Sequence, residues 1–126
     1  MSMRTNIKSQ RGLGAAKEGA HAFWIQRMTA VALVPLVLWF IYSVVRLVGA
    51  PYLVALDYMA QPHHAVFMLL LIWAGFAHLR IGLNEIIEDY VTTHAMNAVC
   101  KLLNTFFTVT MGVTCAYAIL KISFGA

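Results

Sequence analysis

Charged side chains are scarce in this sequence. Lys, Arg, Asp and Glu make up 11% of its 126 residues, against about 25% in a typical soluble domain. Hydrophobic residues make up 61%, which excludes a disordered chain and argues strongly against a water-soluble globular one. The nine Lys and Arg residues give a net charge of +4 but form no long basic stripe, so we expect no nucleic-acid binding. The class that fits is an integral membrane protein with few spans and one small domain at most.

Cysteine is also scarce, with only Cys100 and Cys115 in the whole chain. They form neither a CxxC nor a CxxCH motif, so neither a thioredoxin-like redox site nor a covalently attached c-type haem is supported. The pair gives no support for a structural disulfide either.

Three apolar stretches, at about residues 27–49, 64–87 and 95–122, each exceed the roughly 20 residues that a membrane-spanning helix needs. Because lipid offers no hydrogen-bond partners to the backbone, such stretches must be helices. The sequence therefore predicts an all-α integral membrane fold with three transmembrane helices. Residues 1–26 would form a cytoplasmic N-terminal segment, and residues 27–122 the membrane domain. Polar residues, glycines and prolines mark two loops: Gly49, Pro51, Asp57, Gln61 and Pro62 in the first, and Glu85, Glu88, Asp89, Thr92 and Thr93 in the second.

The distribution of basic residues predicts the orientation. They cluster before the first span, at Arg4, Lys8, Arg11, Lys17 and Arg27. The first loop contains no Lys or Arg, whereas Arg80 and Lys101 flank the second. By the positive-inside rule, the N-terminus lies inside and the C-terminus outside. Tyr52 and Tyr58 then suit the outer membrane interface.

The second span contains an ionisable residue deep in an apolar run, His78 in the segment LLLIWAGFAHLRIGLNEIIEDY. Such a residue is costly in lipid and usually faces a partner or a cavity. Gly75 and Gly82 lie about one helical turn to either side, which leaves room for a flat group. One interpretation is a haem with His78 as an axial ligand. The other is close helix packing at both glycines, with His78 bonded to a neighbouring carbonyl.

The remaining histidines of the spans and loops are weaker candidates. His63 and His64 lie 14 to 15 residues from His78, or roughly 21 Å along a helix, so they cannot ligate the same iron. We interpret them as a solvated interfacial pair. His94 is expected to lie in the second loop.

Four residues near the cytoplasmic face are candidates for ligand contacts. Arg27 either pairs with an anionic group, such as a haem propionate or a lipid phosphate, or only marks the topology. His21 lies on the same side if the first helix starts early. Asp89 and Tyr90 end the second span. The Tyr90 phenol can donate a hydrogen bond to a carbonyl of a lipid-soluble molecule, oriented by Asp89; the alternative is an interfacial tyrosine beside a solvated acid.

The segment HLRIGLNEIIEDY, in which ten residues separate His78 from Asp89-Tyr90, resembles the haem-ligand and quinone-site signature of a known family. That family comprises the hydrophobic membrane anchor subunits, or D chains, of succinate dehydrogenase (respiratory complex II). The stretch GLGAAKEGAHAFWIQRMTAVALVPL is similar to the same family, especially to its alphaproteobacterial members. The resemblance covers about residues 12–122, and the chain length, three spans and orientation agree with it.

The resemblance implies that the chain is half of a heterodimeric anchor bundle in membrane lipid. His78 would be one axial ligand of haem b, and the partner cytochrome b anchor subunit would supply the other. Tyr90 would donate a hydrogen bond to a ubiquinone carbonyl, with Asp89 beside it. Arg27 and His21 would lie near the haem propionates or the quinone pocket. A flavoprotein subunit would oxidise succinate, an iron–sulfur subunit would pass the electrons to ubiquinone, and this chain alone would carry no dehydrogenase chemistry.

Three alternatives stay open. A fumarate reductase anchor is similar, because an anchor does not determine the direction of the reaction. A small oligomeric transporter could use His78 and Arg80, although three spans without an internal repeat suit alternating access poorly. A purely structural assembly subunit would use His78 only for packing. The N-terminal resemblance favours a bacterial cytoplasmic membrane over a mitochondrial inner membrane.

Overall fold

The computed structural model describes residues 13–125, with side chains from residue 19 onward. This part of the chain is helical and contains no strand. Its helices are α1 Leu13–Leu47, α2 Tyr52–Ala60, α3 Pro62–Tyr90 and α4 His94–Ser123. Three helical segments are long and apolar enough to cross a membrane: Gly19–Leu47, Pro62–Tyr90 and His94–Ser123. The predicted all-α fold with three transmembrane helices is confirmed.

The N-terminal segment is only partly within the described residues. Arg4, Lys8 and Arg11 lie outside them, so the cytoplasmic segment 1–26 and the orientation stay predictions. The predicted boundary between residues 26 and 27 falls inside α1, which begins at Leu13. A helix can extend beyond the hydrocarbon layer, so the first residue of the helix need not be the first residue of the membrane span.

The first loop contains a helix that we did not predict. α1 gives way to a turn at Gly49, whose φ of +77° favours glycine because it has no Cβ. α2 then occupies Tyr52–Ala60, including Asp57, which was expected in a loop. No glycine or proline occurs between Pro51 and Pro62, and a helix satisfies the backbone polar groups of such an apolar stretch near lipid.

The second loop is shorter than predicted. α3 continues through Glu85, Glu88 and Asp89, and only residues 91–93 separate it from α4. The expectation that these acids mark a loop is therefore wrong. It is also wrong for His94, which is the first residue of α4. Charged side chains are compatible with a helix that projects beyond the apolar layer, so they do not mark its end.

Asn97 explains how the chain turns in so few residues. Its Nδ2 donates to the backbone oxygens of Ile87 at 3.3 Å and Val91 at 3.1 Å. Ile87 lies in the last turn of α3, where its oxygen also accepts the Val91 backbone N–H at 2.9 Å, and Val91 directly follows the helix. Lys101 also forms an ion pair with Glu88 across the turn, but a pair this exposed adds little to stability.

α3 is the central helix of the bundle, because it packs against both α1 and α4. Both neighbours run antiparallel to it. From α1 to α3, the contacts pair Gln26 with Gly82, Thr29 with His78, Leu33 with Gly75, and Trp39 with Phe67. From α4 to α3, they pair Lys101 with Glu88, Asn104 with Asn84, and Gly112 with Phe76. The end at which α1 begins and α3 ends is called the N-terminal end below, and the opposite end the C-terminal end.

The interior of the bundle consists mostly of small and polar side chains. The buried residues are Thr29, Ser43, Tyr58, Ala65, Ala74, Asn104, Thr108 and Ile119. Only 6–11% of the residues in the most apolar stretch of each span are buried within the chain. Most apolar side chains therefore face outward, as expected of helices surrounded by lipid or by partner helices.

A polar and aromatic cluster closes the C-terminal end. The Tyr58 hydroxyl of α2 and the Ser43 hydroxyl of α1 are hydrogen-bonded at 2.8 Å. The His64 ring of α3 stacks on the Tyr58 ring at a centroid distance of 3.7 Å, and its Nδ1 donates to the Tyr58 backbone oxygen at 2.7 Å. Tyr58 is buried and joins three helices, so its side chain does not face lipid, whereas its depth at the membrane interface stays a prediction. Tyr52 is exposed, and its interfacial position stays a prediction.

Asn104 provides the polar contact between α4 and α3. Its Nδ2 donates to the Arg80 backbone oxygen at 2.9 Å and to the Asn84 side-chain oxygen at 2.8 Å. Asn104 is buried, so water does not compete for these bonds. They hold the centre of α4 against α3.

We expect Asn104→Leu to destabilise the bundle by about 1 kcal/mol, the usual value of an interhelical hydrogen bond in a membrane protein. The melting temperature of the detergent-solubilised protein should fall by a few degrees. Thr114→Val is the matched control, because the Thr114 hydroxyl is exposed and bonds only to Thr110 of its own helix. An equal fall in both variants would contradict the role assigned to Asn104.

Candidate functional site

His78 lies at the contact between α3 and α1. Its Nδ1 is 3.2 Å from the Thr29 hydroxyl of α1. The imidazole also lines an open groove of about 410 Å³ whose other walls are apolar residues of α1: Ala30, Leu33, Val34, Val37 and Leu38. A half-buried imidazole therefore stands beside an apolar surface that is accessible from outside the chain.

The two glycines beside His78 do not border an empty slot. A Cβ on Gly75 would lie 3.9 Å from Leu33 Cδ2, and a Cβ on Gly82 would lie 3.5 Å from Gln26 Nε2. Both glycines therefore face α1 and permit its close approach, as the packing interpretation of these residues predicted. These contacts favour the packing interpretation of the two glycines over room for a flat group.

The donor set at His78 nevertheless fits a haem iron. Imidazole nitrogen is a common axial ligand, and the apolar groove suits the edge of a macrocycle. Gln26 adds an acceptor on the same stretch of α1, because its Oε1 is buried without a hydrogen-bond partner among the described residues. Such an atom calls for a donor from a partner chain, a ligand or an ordered water.

The histidines at the C-terminal end do not belong to this site. His64 is packed against Tyr58 and bonded to its backbone, so the prediction of a solvated residue is wrong for it. His63 is exposed, as predicted, and its ring lies 4.0 Å from that of His64. His64 therefore has a structural role in the cluster that closes this end.

Asp89 and Tyr90 are the last two residues of α3, at the N-terminal end. Both are exposed, and 82% of the Tyr90 surface is accessible. A phenol and a carboxylate are thus available there to a ligand or to a partner subunit. The structure does not bring them to His78, which lies 11 residues before Asp89 and 12 before Tyr90 on the same helix.

Arg27 and His21 lie at intermediate levels on α1. Measured along the helices from the Thr29–His78 contact at 1.5 Å per residue, Arg27 is about 3 Å nearer the N-terminal end. His21 is about 12 Å nearer, and Tyr90 about 18 Å. Arg27 and His21 are exposed, and the Arg27 guanidinium lies 5.2 Å from the centre of the Phe23 ring. Arg27 is therefore close to His78 in depth, whereas His21 lies nearer to the level of Tyr90.

His78 and Arg80 lie on different faces of α3. His78 faces the α1 groove, whereas Arg80 lines a second groove of about 340 Å³ between α3 and α4, with Trp73 and Gly112. Within this chain, the two residues therefore do not line one pathway. This arrangement argues against a transporter that uses both.

Thr29 and Gln26 were not predicted from the sequence, although both contact the stripe of α3 that contains His78. The available signal was that each is a polar residue in the N-terminal part of an apolar span. It could not show which helix face they occupy. That depends on the register between α1 and α3.

Comparisons with known proteins agree with the resemblance in the sequence. A profile of succinate dehydrogenase/fumarate reductase transmembrane subunits matches residues 1–116. The succinate dehydrogenase hydrophobic membrane anchor subunit of Paracoccus denitrificans is 34% identical over 86 residues, which are 68% of this chain and 67% of that protein. The subunit of the same name from Rickettsia bellii is 26% identical over 93 residues, 74% of each chain. The succinate dehydrogenase membrane anchor subunit of Reclinomonas americana is 32% identical over 82 residues, 60% of this chain and 65% of its own. No solved structure matches the chain.

The glycine contacts suggest a test that distinguishes two interpretations: close helix packing at the glycines, or a space that holds a haem. Because a Cβ on Gly75 meets only ordinary contact with Leu33, we expect Gly75→Ala to leave unchanged the amount of any haem that His78 binds. Gly82→Leu should lower it, because a large side chain there would push Gln26 and α1 away from His78. Haem per protein is measured by absorbance. Loss of haem in Gly75→Ala without loss of stability would instead favour the cradle.

Proposed function

The chain belongs to the family of succinate dehydrogenase/fumarate reductase transmembrane subunits, and we propose that it anchors a succinate:ubiquinone oxidoreductase, co-ligates its haem b and forms part of its ubiquinone-reduction site. The relatives described above are succinate dehydrogenase membrane anchors, so the chain is a membrane anchor subunit that works in a complex. The finer roles are proposals that rest on the site.

The haem assignment rests on the position of His78. This residue presents an imidazole to an open apolar groove, in a segment that resembles the haem-ligand signature of the family. The resemblance implies that the partner cytochrome b subunit would supply the second ligand, and the distance of roughly 21 Å along α3 from His78 to His63 and His64 is consistent with this. Arg27, near His78 in depth, would pair with a propionate. The haem would supply a one-electron redox centre.

Tyr90 is the residue proposed to bind ubiquinone. Its exposed phenol can donate a hydrogen bond to a quinone carbonyl oxygen, where negative charge develops during reduction. Asp89 lies beside it and can orient the phenol as an acceptor. His21, about 6 Å nearer to His78 in depth, would complete the wall of the pocket on α1.

The exposed N-terminal end suits contact with the water-soluble subunits. With the N-terminus inside, as the positive-inside rule predicts, Tyr90 lies on the cytoplasmic side of a bacterial membrane. The flavoprotein would oxidise succinate on that side, and the iron–sulfur subunit would deliver the electrons to quinone against this end. Three spans whose surfaces are mostly exposed also leave room for a second anchor chain.

The fumarate reductase alternative is supported by the family description, which includes both enzymes. The names of the relatives favour the succinate dehydrogenase. The transporter alternative is disfavoured, because His78 and Arg80 lie on different faces of α3.

Purification of the chain from its native membrane in mild detergent tests the proposed function. We expect a flavoprotein, an iron–sulfur protein and a second three-span subunit to accompany it, with the absorption spectrum of a b-type haem. A complete complex without haem would contradict the ligand role of His78. Recovery of this chain alone, where other respiratory complexes stay intact, would contradict the anchor role.

We expect Tyr90→Phe to lower succinate–ubiquinone reductase activity by about tenfold or more, which corresponds to the loss of one hydrogen bond of ~1.4 kcal/mol. Oxidation of succinate with a soluble artificial acceptor should stay unchanged, because it does not use the quinone site. Tyr52→Phe is the matched control, since Tyr52 is an exposed tyrosine at the opposite end. Equal loss of both activities would contradict the quinone role of Tyr90.

A further inference from the structure

The Thr29 hydroxyl has three polar neighbours and a single proton. Its Oγ1 lies 2.7 Å from the Ile25 backbone oxygen, 3.1 Å from the Gln26 backbone oxygen and 3.2 Å from His78 Nδ1. Only 2% of Thr29 is exposed, so no bulk water competes for these contacts. The proton can be donated to only one of the three neighbours at a time.

The shortest contact determines where that proton lies. A backbone carbonyl only accepts, and the hydroxyl of a helical threonine commonly donates to the carbonyl four residues earlier. Once the proton points at Ile25, the oxygen presents a lone pair to His78. Two lone pairs would repel, so His78 Nδ1 must carry a hydrogen and donate it. In a neutral imidazole, the other nitrogen, Nε2, is then unprotonated.

We propose that Thr29 is a positioning residue for the haem ligand. Its hydroxyl accepts a hydrogen bond from His78 Nδ1–H, selects the tautomer that leaves a lone pair on Nε2, and fixes the plane of the ring. This inference rests on the proposed role of His78 as an axial ligand.

The acceptor used here is a neutral hydroxyl that is itself bonded to the backbone of α1. It therefore orients the imidazole without placing a negative charge next to it, unlike a carboxylate partner. It also makes the ligand geometry depend on a second helix, because His78 is on α3 and its acceptor is on α1. Partners of this kind typically change metal affinity by roughly 10–100-fold.

Thr108 is a close internal control. It is also 2% exposed, and its hydroxyl lies 2.8 Å from the Asn104 backbone oxygen and 3.2 Å from that of Thr105. Its hydroxyl thus has the same two carbonyl neighbours on its own helix, four and three residues earlier, as that of Thr29. It differs in having no histidine as a hydrogen-bond partner.

The experiment compares Thr29→Val, Thr29→Ser and Thr108→Val in the complete, purified complex. Release of haem to excess apomyoglobin is followed by absorbance, and the electron paramagnetic resonance (EPR) spectrum of the oxidised haem reports ring orientation. We expect Thr29→Val to release haem roughly 10–100-fold faster and to shift the low-spin EPR signal. Thr29→Ser should release haem at a rate within about threefold of that of the unmodified complex. Thr108→Val should release haem at the rate of the unmodified complex.

Thr29→Val with an unchanged release rate and an unchanged EPR signal would overturn the proposal. So would equal acceleration in Thr108→Val, since a general loss of helix packing would then explain the effect. His78→Ala distinguishes the ligand role of His78 from the positioning role of Thr29. If it keeps a normal low-spin haem, the ligand role of His78 itself fails; if it loses that haem while Thr29→Val is normal, only the role of Thr29 fails.

The unmodified complex provides a measurement that does not depend on the folding of any variant. Pulsed EPR detects the Nδ1 protons of imidazoles bound to oxidised haem. Because the acceptor for His78 is buried, one such proton should exchange slowly after transfer into D2O. Exchange of all ligand protons within the mixing time would overturn the proposal.

Discussion

Helices surrounded by lipid gain little by burying apolar surface against each other, because lipid tails are as apolar as leucine side chains. Contact between the helices of this chain therefore depends on close approach at small residues and on hydrogen bonds. Gly75, Gly82 and Gly112 provide the first, and the Asn104 and Thr29 contacts provide the second. The interior is consequently small and polar, while the large apolar side chains cover the outside.

This constraint explains why α3 contains the candidate site. It is the only one of the described helices that packs extensively against two long neighbours, so a costly side chain such as His78 can find a partner there. The hydroxyl of Thr29 satisfies one ring nitrogen, and the open groove leaves the ring accessible to a group from outside. Structural support and the proposed ligand role thus use different atoms of one imidazole, and both are compatible with the same packing.

The long apolar runs predicted three spans, and a histidine within one of them indicated the site, because both signals are local in the sequence. Features that depend on register could not be predicted. The partner of His78 is Thr29, 49 residues earlier, and the glycines that suggested an empty slot face α1 instead. The burial of Tyr58 could not be predicted for the same reason: an aromatic residue near a predicted loop resembles an exposed one until the helices that meet there are known. The turn between α3 and α4 was predicted too long because charged residues are compatible with a helix that projects from the membrane.

The two ends of the bundle differ in whether residues of the same chain cover them. Ser43, Tyr58 and His64 close the C-terminal end with groups from three helices of the same chain. The N-terminal end instead finishes in the exposed Asp89 and Tyr90. Substitutions in the closed cluster should therefore shorten the lifetime of the newly inserted subunit before it meets its partners. Substitutions of the exposed Asp89 and Tyr90 should leave that lifetime unchanged and affect only the assembled complex, so quality control in the membrane would remove variants of the first kind but not of the second.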